Sequence, residues 1–118
     1  VSPKRGERVA SPPGPGEWEI RFATSEAAKG WEELCNQVPG NTREAWLVLR
    51  TEPGPRPPTG RHHQLKYDLA TRVLKGIELT HWQFEVTGGG RIWYLLDIAH
   101  RTVWIDHAGT GHPRATDR

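Results

Sequence analysis

Three runs of strand-forming residues crowd the end of the chain, at 81–87, 91–97 and 102–108, and they limit the fold more than anything else in it. Each is rich in aromatic and β-branched residues, which suit a pleated, half-buried surface. Gly88, Gly89 and Gly90 separate the first two runs, and four residues, 98–101, separate the others. Such short separations make an antiparallel meander the economical arrangement, with the glycines supplying the positive φ angles of a tight turn. The stretch 81–114 also holds three of the six tryptophans and four of the six histidines. Glu85, Arg91 and His107 therefore fall on strands or at their ends.

The rest of the chain supplies the elements that such a sheet needs. In WEIRFAT, 18–24, Trp18, Ile20 and Phe22 alternate with Glu19 and Arg21, the period of a half-buried strand. The period then lengthens. Thr24 or Ser25 can cap a helix in which Ala27, Trp31, Leu34 and Val38 recur at three- and four-residue steps, and Pro39-Gly40 is read as its end. Asn41 followed by Glu44 resembles a capping box that opens a second helix over 42–51. The apolar run 45–49 also fits a buried strand. TEPGPRPPTG, 51–60, is an exposed loop. Beyond it, a short extended piece around 63–66 precedes a loop or helical turn ending at Gly76. Residues 1–17, with four prolines and three glycines, read as a flexible or extended arm with no part in the core.

With 118 residues the chain has room for one domain and one modest core. No apolar run reaches the ~18 residues of a membrane span, and no apolar segment follows the basic residues near the start, so neither a span nor a secretory signal is expected. The single cysteine, Cys35, excludes an internal disulfide framework and fits a reducing cytoplasm. A second cysteine is missing, and His62 and His63 point apart on an extended backbone, so no metal or other cofactor is expected. P-loop, Rossmann, nucleophile-elbow and zinc-protease motifs are absent. The formal net charge is +2, with the excess of positive charge in residues 56–118, and twelve of the sixteen basic residues are arginine. Arginine suits bidentate phosphate contacts, so a polyanionic partner is permitted without being required.

The constellation that remains is Glu85, Arg91 and His107, with His62, His63 and Lys66 upstream. Cleavage of RNA through its 2′-OH needs a base for the hydroxyl, a cation for the crowded phosphate and an acid for the leaving 5′-oxygen. Carboxylate, guanidinium and imidazole suit those roles. The same residues also read as a cross-strand ion pair and a strand-end histidine. By alternation, Gln83 and Glu85 share one face of their strand and Arg91, Trp93 and Leu95 one face of theirs. On the last strand Val103, Ile105 and His107 are expected to oppose Trp104 and Asp106. Which faces coincide depends on register.

WQFEVTGGGRIWYLLD at 82–97 and VWIDHAGTGHPRATD at 103–117 resemble the RelE/ParE superfamily of bacterial type II toxins, the second segment being similar to the ending of HigB-like members. The resemblance covers about 18–117. It implies an α+β RelE-like fold: an N-terminal strand, a two-helix hairpin, then a three-stranded antiparallel meander in one sheet. It also implies a cytoplasmic mRNA interferase that acts on mRNA in the ribosome and is neutralised by a cognate antitoxin. Arg91 falls where such toxins contact the scissile phosphate, His107 where they place a proton-transfer group, and Glu85 where they place polar or charged catalytic groups. Lys66, His62, His63, Trp104 and Arg114 are the residues expected to contact RNA, Trp104 either stacking on a base or serving the core. The long loop 51–79 and the lack of a tyrosine near the C-terminus depart from the family pattern. Two other readings keep the fold: a ParE-like inhibitor that binds DNA gyrase, and an interaction domain without activity.

Overall fold

The computed structural model describes Arg5, Gly6 and residues 8–111. It is an α+β structure with the order β1 (Glu19–Phe22), α1 (Ser25–Gln37), α2 (Pro39–Thr51), β2 (His62–Gln64), a 3₁₀ turn at Tyr67–Leu69, β3 (Thr71–Leu74), β4 (Ile77–Glu85), β5 (Arg91–Asp97) and β6 (Thr102–Gly109). The strands form one mixed sheet in the order β1-β6-β5-β4-β2, and β3 also pairs with β4. β4, β5 and β6 form the expected meander, and β1 adds in parallel to β6, with Ile20 opposite Val103. The sheet is larger than a three-stranded meander with one N-terminal strand. β2 and β3 both lie along the outer side of β4, β2 on its second half and β3 on its first.

The two helices pack on one face of the sheet. Leu34 and Ala27 of α1 and Ala45 and Leu49 of α2 meet Phe84, Val86, Ile92, Tyr94, Leu96, Val103 and Ile105 in the core. α1 starts as its sequence dictates, since the Thr24 hydroxyl accepts a hydrogen bond from the Ala27 amide at 3.0 Å. At Gly30 the helix comes so close to β6 that an added Cβ would lie 1.7 Å from the Ala108 carbonyl oxygen. Glycine is required there by contact.

α2 begins three residues before the expected position. Pro39 opens it in the first turn, where its missing N–H is no loss, and Val38 alone joins the helices. Asn41 therefore forms no capping box, and its side-chain amide donates to the Val86 carbonyl at 3.3 Å. The Thr42 hydroxyl lies 3.0 Å from the Leu34 carbonyl and 2.8 Å from that of Val38, so it serves the end of α1. The segment before β1 touches the domain: both Arg50 terminal nitrogens donate to the Ser11 carbonyl, and Arg101 donates to that of Gly16.

Two local features differ from the pattern-based expectation. Leu74 and Ile77 pair across Lys75 and Gly76, whose φ angles of 52° and 80° make a two-residue hairpin turn. Gly76 thus closes a β3–β4 hairpin and ends no helical turn, and β4 starts four residues earlier than expected. The triple-glycine turn, in contrast, uses no positive φ at Gly88, Gly89 or Gly90. Space explains glycine better there: a Cβ at Gly90 would come within 2.9 Å of the Thr87 hydroxyl, and one at Gly89 within 3.1 Å of the Thr110 carbonyl.

Candidate functional site

The helix-free face of the sheet is where the chemistry-bearing residues gather. In the β4–β5–β6 register, Glu85 lies opposite Arg91 and Arg91 opposite Gly109, and next to them Gln83 lies opposite Trp93 and Trp93 opposite His107. Simple alternation along β6 would send His107 to the helix side with Val103 and Ile105. A β-bulge prevents this. Tyr94 pairs with Ile105 and Trp93 with His107, leaving Asp106 without an opposite residue. The extra residue turns Asp106 and His107 to the same face, which is what a bulge does to the side chains around it. The expected grouping of His107 with Ile105 is thereby corrected, and Glu85, Arg91 and His107 come together on one face of three adjacent strands.

Arg91 is 7% exposed. Its Nη1 donates to the carbonyls of Thr87, Gly88 and Gly90 at 3.0–3.2 Å, and Nη2 stands 3.8 Å from a Glu85 carboxylate oxygen. The guanidinium thus holds the glycine turn and places positive charge under it. The His107 ring packs edge-on against Trp93 at 5.8 Å, and its Nε2 is buried with no hydrogen-bond partner among the described residues. Burial lowers the His107 pKa below its ordinary 6.5, opposed by the adjacent Asp106 carboxylate, so the ring is neutral at pH 7. Trp93 is fixed from the other side, its indole N–H donating to Gln83 at 2.8 Å.

Sequence reasoning missed a second cluster on this face. His81 and Asp106 have side chains only 2% and 3% exposed and meet at 2.9 Å, and Arg72 from β3 reaches the same carboxylate at 3.0 Å. The other His81 nitrogen lies 2.9 Å from the Leu69 carbonyl. These bonds draw the β3–β4 hairpin over the face, where the Lys75 ammonium sits 4.9 Å above the Trp104 ring. The signal available in sequence was a polar residue, His81, on the same alternation as Gln83 and Glu85. A bulge leaves no such mark.

The upstream histidines separate as an extended backbone requires. His62 turns to the helix side and is 6% exposed. The Tyr94 hydroxyl donates to the Pro53 carbonyl, so the His62 Nε2 must carry the hydrogen that it shares with Tyr94. Burial pushes the His62 pKa down to about 4. In this arrangement His62 serves the core and is closed to RNA, which corrects its expected role. His63, opposite Gln83, stays on the helix-free side, and Lys66 is exposed nearby. Trp104 is half-buried under Lys75, and Arg114 lies outside the described residues. Among the described residues, no three His, Cys, Asp or Glu side chains converge to hold a metal, and no helix is long and apolar enough to cross a membrane.

The class that fold and site define is an α+β protein with two helices on one face of a mixed sheet and a polar, partly buried cluster on the other. Neither a family model, nor a curated protein, nor a solved structure matches the chain.

Proposed function

We propose that the chain is a RelE-like toxin, a HigB-like endoribonuclease that cleaves mRNA on the ribosome, works in the cytoplasm and is held inactive by a cognate antitoxin. The observation that supports this reading is the bulge at Asp106, which brings His107 onto the face that carries Glu85 and Arg91. A histidine held neutral by burial is suited to accept a proton. In the proposed step the His107 imidazole takes the proton of the 2′-OH, the 2′-oxygen attacks phosphorus, and the P–O5′ bond breaks. A 2′,3′-cyclic phosphate forms, and the 5′-oxygen takes a proton from water. Arg91, oriented by Glu85 and the turn carbonyls, offsets the negative charge that builds on the phosphate. The step uses no metal.

A ParE-like gyrase inhibitor is the second reading, favoured by the way Arg91 is engaged with the turn carbonyls. Mapping mRNA 5′ ends after expression without an antitoxin separates the two. The nuclease reading predicts codon-phased cuts, and intact mRNA with stalled replication would support the gyrase reading. The cleavage rate should hold steady from pH 7 down past 6.5 and fall only below that, as the lowered His107 pKa is crossed and the base becomes protonated.

A further inference from the structure

An open groove lies outside the Glu85–Arg91–His107 set, between the loop 53–60 and β2, with a volume of about 680 Å³. Arg56, His63, Lys66 and Gln64 line it together with Pro55, Pro58 and Trp82. Its character is mixed in a specific way. Arg56 and Lys66 are exposed, neither has an ion-pair partner among the described residues, and no acidic side chain lines the groove. The apolar walls are the two prolines and Trp82, whose indole N–H is already engaged by the Thr80 hydroxyl at 3.0 Å. The hollow beside α1 differs, because Glu32 and Glu33 line it together with Lys29.

Two uncompensated cations beside flat apolar walls suit a ligand that is anionic at one end and planar at the other. A nucleotide has that form. His63 links the groove, whose Trp82 wall lies on the helix side of the sheet, to the helix-free face: His63, Gln83, Trp93 and His107 follow one register line across β2, β4, β5 and β6. Three strand spacings of about 4.8 Å make that path about 14 Å long, which a short single strand can follow. In a neutral His63 ring, Nδ1 donates to the Gln64 carbonyl at 3.0 Å, leaving Nε2 to accept from a sugar hydroxyl.

We infer that this groove is a subsite for single-stranded RNA, with phosphate on Arg56 and Lys66 and a base against Pro58 and Trp82. The inference rests on the ribonuclease reading for the identity of the strand. The test uses the full chain and a fluorescent single-stranded RNA of twelve mixed nucleotides. Arg56→Gln combined with Lys66→Gln changes two exposed residues, so the fold is retained, which circular dichroism checks. The expected result is an affinity loss of roughly tenfold or more and a salt slope shallower by about 1.4. Ribonucleoside monophosphates should compete for the groove better than inorganic phosphate.

Equal affinity and slope in the double variant would overturn the subsite, as would phosphate and monophosphates competing equally. Cleavage on the ribosome, measured in parallel, keeps the two proposals apart. A parent protein that binds RNA through Arg56 and Lys66 but never cleaves retains the subsite and removes the nuclease. A double variant that binds and cleaves like the parent retains the nuclease and removes the subsite.

Discussion

The two faces of the sheet solve the problem of burial differently. On the helix side the buried groups are mostly hydrocarbon, and several polar ones close on one another, as in the chain from His62 through Tyr94 to the Pro53 carbonyl, while the Arg50 Nε on α2 is buried with no partner among the described residues. On the opposite side the side chains of His81, Gln83, Arg91 and Asp106 are buried as well, the His107 Nε2 lacks a partner among the described residues, and the β3–β4 hairpin reaches over the face through Arg72 and Lys75. Packing alone would not select such residues, because a buried polar or charged group costs free energy unless fully paired. One face is built for stability, and the other tolerates expensive groups, which is a common property of reactive sites.

Substitutions on the helix side should therefore act on stability. Gly30→Ala is expected to have the largest effect, about 3 kcal/mol or more by denaturant unfolding, since its methyl would overlap the Ala108 carbonyl. A wild-type midpoint would show that α1 can lift from β6 without loss. His62 gives the next effect, through pH. Its folded pKa of about 4 lies below the unfolded 6.5, so its neutral form is favoured by folding. The unfolded chain takes up this proton first, and stability falls by on the order of 3 kcal/mol as pH drops from 6.5 to 4. Unfolding of His62→Gln should lose most of that slope.

On the helix-free side Asp106→Asn should cost about 1–3 kcal/mol, since it leaves His81 and Arg72 without their carboxylate. Arg72→Ala removes the exposed partner of the same group and should cost under about 1 kcal/mol. If Arg72→Ala proved the costlier of the two in thermal melts, the hairpin and not the His81–Asp106 contact would hold this face.

How much of this was legible in the sequence depends on how local the cause is. WEIRFAT, the Thr24 cap and the three C-terminal runs follow from alternation and capping, and they appear where expected, apart from the earlier start of β4. Pro39 was ambiguous because proline ends one helix as readily as it begins another, and here Val38 serves both. The β3–β4 hairpin was hidden because Lys75 takes a positive φ that is usually left to Asn, Asp or Gly. Within the candidate site, Glu85 and Arg91 were readable as turn neighbours. The side on which His107 lies was not, because one extra residue in β6 inverts the alternation beyond it, and register is set by the whole sheet. The His81–Asp106 pair depends on the same bulge.

His107 offers the most direct test of the division between the faces. His107→Phe keeps a ring against Trp93 and removes the unpartnered nitrogen, so unfolding stability should stay within about 1 kcal/mol of the parent. Cleavage of ribosome-bound mRNA by the same variant, measured beside its unfolding curve, should fall by about 100-fold or more. A His107→Phe protein that cut mRNA at the parent rate would contradict the account, and the helix-free face would then need another explanation.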